Sequence, residues 1–182
     1  MERLEQQAEK GHIDLFYADE TAVSEQGYVP YGWPFKAEGV SIPSRRGKTR
    51  SYFGLLSRDN RFRYQAFSHA VTTADVIDCL DRLAADQAKP TMVVLDNASV
   101  HTSRRFRACL QAWQQRNLYI FYLPPYSPHY NIIERFWKEL KEGWLRPQDY
   151  ATPDRLFYAV NRAFAAVGRE LKLQFSPFQI KV

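Results

Sequence analysis

Hydrophobic positions in this chain change their period from segment to segment, and each period names an element. Ile13-Asp14-Leu15-Phe16-Tyr17-Ala18 reads as a strand that runs into Asp19-Glu20. The aromatic-rich runs Tyr52 to Leu56 and Phe62 to Phe67 predict two further strands. Ser57-Arg58-Asp59-Asn60-Arg61 joins them as a hairpin, because an Asp-Asn pair suits a tight turn. From Thr72 to Gln87 the period becomes helical: Val76, Ile77, Leu80, Leu83 and Ala84 share one face, and Thr72 with Asp75 forms a capping pair. Thr91-Met92-Val93-Val94-Leu95 is apolar almost throughout, the pattern of a strand covered on both faces among parallel neighbours, and it ends at Asp96.

A helix over about Ser103 to Arg116 follows, with Phe106, Leu110 and Trp113 at helical spacing, and Leu118 to Leu123 is another buried strand. Strand, helix, strand implies a right-handed parallel crossover. Pro124-Pro125-Tyr126-Ser127-Pro128 interrupts regular structure and leads to a helix from about Asn131, whose apolar face carries Ile133, Phe136, Trp137, Leu140 and Trp144 and which Pro147 closes. A last helix begins with Thr152 as cap and Pro153 in its first position; Leu156, Phe157, Val160, Phe164 and Val167 form its stripe. A polar, helix-prone leader, residues 1–12, precedes all of these. The expected class is α/β, a mixed sheet with helices packed on it, in one domain of 182 residues with a C-terminal tail over 168–182.

Composition removes several function classes. The longest apolar runs fall far short of the ~20 residues needed to span a bilayer, and the N-terminus lacks the apolar stretch of a secretion signal, so a cytoplasmic protein is expected. Cys79 and Cys109 have no partner at metal-ligand spacing and read as small buried residues rather than a zinc site. Gly47-Lys48-Thr49 resembles the end of a phosphate-binding loop, but Ile42 stands where its first glycine belongs and no helix follows. The balance of 25 basic against 20 acidic residues is compatible with nucleic-acid binding. Basic residues gather at Arg45, Arg46, Lys48 and Arg50, and again at Arg104, Arg105 and Arg107; a solvated surface is the plain alternative. The irregular stretch 21–49 interleaves Gly and Pro with Tyr28, Tyr31, Trp33 and Phe35, which either pack on the domain or offer faces to a partner or to unstacked bases.

Three acids stand at telling places: Asp19 at the end of the first strand, Asp96 at the end of the buried strand, and Glu134 near a helix start. Ends of adjacent strands converge on one edge of an α/β sheet, where ligands bind. At about 5 Å and an effective dielectric near 20, each pair of such charges repels by roughly 3 kcal/mol, so a cluster needs protons or a cation. Oxygen-only acidic ligands favour Mg²⁺ or Mn²⁺, and two such ions are the apparatus for in-line attack on a phosphodiester. Each acid also has a plain structural alternative. Asp19-Glu20 could open a turn, Asp96-Asn97 could bond the following backbone, and Glu134 could pair with Lys138 four residues on.

Taken in order, Tyr17-Ala18-Asp19-Glu20, Leu95-Asp96-Asn97-Ala98-Ser99-Val100-His101, and Leu123-Pro124-Pro125-Tyr126-Ser127-Pro128 leading into Asn131-Ile132-Ile133-Glu134-Arg135-Phe136-Trp137 resemble the DDE catalytic domain of IS630-type transposases, in the Tc1/mariner superfamily. The likeness runs from about Ile13 to Lys141, and 37 residues separate Asp96 from Glu134, within the short spacing of that family. It implies an RNase H-like mixed sheet with helices on both faces. It places the metal-binding catalytic acids at Asp19, Asp96 and Glu134, holding two Mg²⁺ or Mn²⁺ ions. It further implies DNA cleavage by water and then attack of a freed 3′-hydroxyl on target DNA, typically at a TA step. Ile132 stands where the family commonly has proline, a position isoleucine can occupy in a first helical turn.

Asn97, His101 and Asn131 fall at family-matching positions and are expected to support the site; a backbone-satisfied histidine is the alternative for His101. Lys138 and Lys141 share a helix side with Glu134 and, with Arg45, Arg46 and Lys48, are expected to contact DNA phosphates. The resemblance also implies a homodimer in the DNA complex, since two ends are handled together. Family members usually carry helix-turn-helix modules ahead of this domain, whereas about a dozen residues precede the first strand here. The expectation is therefore a downstream frame, partnered by a separately encoded helix-turn-helix domain, or a truncated remnant. Two other classes stay open on sequence: a non-catalytic DNA-binding or assembly module of the same fold, and another RNase H-like nuclease that cuts without joining.

Overall fold

The structure, a computed structural model, describes residues 1–25, 47–85, 87–125, 127 and 130–175. After α1 (Glu2–Glu9) come β1 (Asp14–Ser24), β2 (Thr49–Leu56) and β3 (Phe62–Phe67), then α2 (Thr73–Ala85) and β4 (Thr91–Leu95). The short α3 (Ser99–Thr102), α4 (Arg104–Gln114) and β5 (Leu118–Tyr122) follow. The last elements are α5 (Ile132–Lys138), π-helical turns over Glu139–Trp144, a 3₁₀ turn at Pro147–Ala151 and α6 (Pro153–Ala166).

The strands form one sheet in the order β3-β2-β1-β4-β5. β1, β2 and β3 pair antiparallel, as the hairpin predicts, while β4 pairs parallel with both β1 and β5, as a helical crossover requires. Side chains alternate across the sheet and feed two cores. Leu15, Tyr17, Tyr52, Leu56 and Val94 meet α5, the π-helical turns and α6 on one face. Phe16, Ala18, Phe53, Leu55, Val93 and Leu95 meet α2 and α4 on the other, around the fully buried Phe106 and Trp113. Each such apolar side chain contributes about 1.5–3 kcal/mol, so each face is held by many individually modest terms. Among the described residues no helix is long and apolar enough to cross a membrane.

Two departures from the sequence reading bear on the site. β1 does not stop at Ala18 but continues to Ser24, because β2 keeps pairing with it: Asp19 opposes Gly54 and Ser24 opposes Thr49. Asp19 is thus interior to a strand, at the level where the neighbouring β4 ends. The helix from Asn131 is also not α-helical to Pro147: it widens after Lys138, and its final Leu145 N–H bonds the Leu140 carbonyl at 3.0 Å, five residues back. Wide turns of this kind concentrate at functional sites.

Gly54 matters for the same region. A Cβ built there would stand 2.7 Å from the Trp137 ring, so its missing side chain is what lets α5 lie close against β2 and β1. At the opposite end of the sheet, α1 is fastened by a buried polar cluster. Glu5 accepts from the Tyr17 hydroxyl and pairs with Arg58 Nε at 2.6 Å.

Candidate active site

The parallel register between β1 and β4 brings two acids level. Asp14 stands beside Thr91 and Tyr17 beside Val94, and the same offset carried two positions further sets Asp19 beside Asp96. Neighbouring strands lie about 4.8 Å apart, so two carboxylates at one level are close by construction. Alternation sends Asp19 to the face that α5 covers, the face of Tyr17 and of Gly54 with Trp137. It sends Glu20 to the opposite face.

Glu134 arrives from α5. Burial first, and then the carboxylates of Glu134, Glu20 and Asp96, push Asp19 up to about 8 from an ordinary carboxylate value. Glu134 is itself raised, by burial and by Asp96, with Lys141 opposing. Lys141, on the π-helical turns, is lowered by burial while Glu134 and Asp19 favour its charged form, so the structure brings this lysine to the acids. Lys138 turns instead toward Glu142, 3.9 Å away, and the pairing with Glu134 considered from sequence is not the one formed.

Asp96 has a different environment. Oδ1 accepts from the Ala98 N–H at 2.9 Å and lies 2.8 Å from His101 Nδ1. His101 is fully buried; its Nε2 stands in a looser contact, 3.2 Å from Glu20 Oε2. Burial alone lowers the imidazole, but the hydrogen bond to Asp96 and the nearby Glu20 carboxylate outweigh that and push it up to about 9, which favours the charged ring between two carboxylates at neutral pH. The hydrogen bond from His101 in turn holds Asp96 below the usual range. Tyr122 Oη donates to the His101 carbonyl at 2.7 Å, and Thr73 Oγ1 to the Val100 carbonyl at 3.1 Å, fixing α3 at both flanks.

Between these two sides lies a cleft of about 440 Å³ whose walls include Asp96, Asn97, Pro124, Asn131 and Glu134. Asn97 Nδ2 donates to the Leu123 carbonyl at 2.6 Å, tying the segment after β4 to the segment after β5. Asn131 is buried and does not cap α5 with its side chain; Nδ2 donates to the Ala18 carbonyl at 3.3 Å and, among the described residues, Oδ1 has no partner. A buried amide oxygen left open at a cleft wall is a hydrogen-bond acceptor waiting for a ligand group.

Sequence reasoning missed Glu20 as part of the site, although adjacent acids on a strand necessarily face opposite ways and a histidine five residues past Asp96 needs a counter-charge on the Glu20 face. Lys48 is exposed, with its backbone N–H bonded to the Glu25 carboxylate at 2.6 Å. Arg45, Arg46 and the aromatics Tyr28, Tyr31, Trp33 and Phe35 lie outside the described residues.

The donor set suits a hard divalent cation: Asp96 and Glu134 line the cleft and Asp19 lies beside it, Asp19 and Glu134 are raised by burial and by neighbouring carboxylates, and among the described residues the Asn131 amide oxygen at the wall has no partner. Among the described residues no three His, Cys, Asp or Glu side chains already stand close enough to hold one ion. Asp96 has its oxygen engaged by His101 and Ala98, and repulsion keeps like charges apart.

Comparison with known proteins gives a consistent picture. Residues 14–156 match the model of the DDE superfamily endonuclease family. An insertion element IS630 uncharacterized 39 kDa protein of Shigella sonnei is 26% identical over 134 residues, covering 70% of this chain but 38% of that protein. Mos1 transposase is 20% identical over 90% of this chain and 52% of its own, with TM-score 0.57 for a paired-end complex with left transposon end and 0.58 for a mariner paired-end complex with Mn. The catalytic core domain of BIV integrase superposes with TM-score 0.53 at 14% identity, over 87% of this chain and 86% of that one. These likenesses show the fold, an RNase H-like α/β core, and the chain spans about half the length of the Mos1 transposase it matches.

Proposed function

The chain belongs to the DDE superfamily endonuclease family, and from that premise we propose that it is the catalytic domain of an IS630-type DNA transposase, cutting DNA and joining a freed 3′-hydroxyl to target DNA. The observation that carries this reading is the level placement of Asp19 and Asp96 on parallel neighbours, with Glu134 brought within electrostatic reach of both by α5.

Asp19, Asp96 and Glu134 would hold two Mg²⁺ or Mn²⁺ ions, in keeping with the Mn-containing Mos1 neighbour. Bound there, such ions would supply activation of the attacking oxygen and stabilisation of the leaving one. The chain's own residues do the rest. His101, backed by Glu20, orients Asp96 and keeps it ionised, as groups behind metal ligands commonly do. The open Oδ1 of Asn131 accepts a hydrogen bond from water or a substrate hydroxyl in the cleft. Lys141 balances the acids before substrate arrives, and it and Lys138 contact phosphates with affinity that falls as salt rises.

The partners proposed are transposon ends and a target at TA, and a second copy of the chain in the DNA complex. The Mos1 complex with a transposon end supports the first. An end-joining assay with Mn²⁺, using duplexes that carry the element's ends, tests the reading. Joined 3′ ends that disappear in Asp96→Asn are expected. Cuts without joining would identify a different RNase H-like nuclease, and binding without cuts a non-catalytic module.

A further inference from the structure

We propose that Arg104, Arg105 and Arg107, at the start of α4, form a second phosphate-binding surface, which takes the backbone of duplex DNA on the face of the sheet opposite α5. The proposal rests on the transposase reading and adds a contact surface to it.

The topology places these residues. β4 and β5 are parallel, so the intervening α4 runs back against them, and its first turn lies at the carboxyl end of the strands, where Asp96 and the cleft are. Ser103 caps that turn, accepting from the Phe106 N–H at 3.2 Å, while Phe106 and Trp113 face the sheet. Arg104, Arg105 and Arg107 are left exposed. The Arg107 guanidinium acts on the phenol of Tyr122, whose Oη bonds the His101 carbonyl at 2.7 Å, and His101 holds Asp96. The arginine surface is thus two side chains away from a candidate catalytic acid.

Electrostatics separates this patch from an ordinary solvated face. The first turn of a helix is the positive end of its dipole, where acids stabilise and cations destabilise. α2 and α6 follow the rule, with Asp75 and Asp154 in their first turns, whereas α4 has no acid there and carries three arginines. Among the described residues none of the three pairs with a carboxylate, although Arg116, past the far end of the same helix, is held by Asp81 at 2.8 Å. Charge placed against the local field without an internal partner fits a surface whose counter-charge arrives from outside. Planar guanidinium groups suit phosphate oxygens, and three in succession suit a continuous polyanion better than a single small anion. With Lys138 at the end of α5 and Lys141 on the π-helical turns that follow, the cleft then has cationic groups on both faces of the sheet, and a duplex laid across it would be gripped from two sides.

The test compares the full chain with an Arg104→Gln/Arg105→Gln/Arg107→Gln variant for binding a random-sequence 30-base-pair duplex by fluorescence anisotropy between 50 and 200 mM NaCl. Each phosphate contact contributes roughly 0.9 to the slope of log affinity against log salt. The triple variant is expected to lose about tenfold or more in affinity and roughly two to three in slope, with a thermal midpoint equal to or above the parent's; single variants lose about one in slope. Unchanged affinity and slope in the triple variant, with Lys138→Gln/Lys141→Gln still weakened, overturns the arginine surface and leaves the transposase reading standing. A parent chain with no salt-dependent affinity for duplex DNA overturns both. Weakened binding to an RNA hairpin of equal length, with duplex DNA binding intact, also overturns the proposal.

Discussion

The two sides of the cleft meet the same problem, a carboxylate at the end of a sheet, in opposite ways. On the β4 side, Asp96 is bonded by a backbone N–H and by a buried imidazolium, and its acidity is increased. On the β1 and α5 side, Asp19 and Glu134 face each other in partial burial with Lys141, among the described residues, to balance them, and both are harder to ionise. One side is organised before any ion binds; the other keeps a proton in reserve. Function here is set against stability, since the fold tolerates a repulsive pair that a cation would relieve.

The largest test of this contrast is in activity and stability together. Asp19→Asn, Asp96→Asn and Glu134→Gln should each lower DNA cleavage by about a thousandfold or more in a gel assay, since they act as one unit. Their melting behaviour should part. Asp19, raised from its ordinary value to about 8, holds in the folded state a proton that the unfolded chain releases, so its ionisation removes stability as pH rises through that window. Asn keeps the neutral form, and Asp19→Asn should be more stable than the parent by a few kcal/mol at pH 8. Asp96 is lowered, so its stabilisation is present above the ordinary carboxylate range and lost in acid, and Asp96→Asn should melt lower. Equal midpoint shifts in one direction would erase the distinction.

Next in size is the support behind Asp96. His101→Gln should weaken Mn²⁺ binding by about 10–100-fold in calorimetry, the usual scale for groups behind a ligand, with Glu20→Gln milder. Loss as large in Glu20→Gln as in His101→Gln would mean the imidazole contributes only its link to Glu20. Smaller again, Mn²⁺ affinity of the parent should rise about tenfold per pH unit below 8 and level off above it, as Asp19 gives up its proton. His101, raised to about 9, stabilises the fold below its unfolded value, and that contribution is lost as pH passes 9, which sets an upper limit to the useful range. A flat affinity profile between pH 6 and 8 would show that Asp19 is already ionised.

The smallest expected effect comes from packing. Gly54→Ala should cost about 1–3 kcal/mol in urea unfolding, because the new methyl meets the Trp137 ring and α5 has to shift. Mn²⁺ affinity should fall with it, while the Asp96–His101 bond, on the other face, is untouched.

Elements with a single clear period were legible in the sequence. β3 and β4 have the bounds their apolar runs announce, Thr72 and Asp75 cap α2 reciprocally, and Thr152 with Pro153 opens α6. β1 runs beyond the end its acids suggest in the sequence, where Thr21 and Val23 continue the alternation and are buried. The π-helical turns could not be read at all: over six residues a π-helical and an α-helical period bury nearly the same positions, and the two part only in hydrogen bonds such as that from Leu145 to Leu140. Within the site, the acids stood out individually, but the His101 bridge to Glu20 depends on which strand face each residue takes, and so on a register that β4 supplies from far along the chain.

The glycine beneath Trp137 has one more consequence. The indole is 3% exposed, its ring nitrogen has no partner among the described residues, and it sits one helical turn after Glu134, against the strand residue paired with Asp19. A shift of α5 that carried Glu134 toward Asp19 would move this ring over the bare backbone of Gly54 and change the field around it. In a variant whose Trp33, Trp113 and Trp144 are replaced by phenylalanine, the emission of Trp137 is therefore expected to report, without a label, when an ion or substrate changes the surroundings of Glu134.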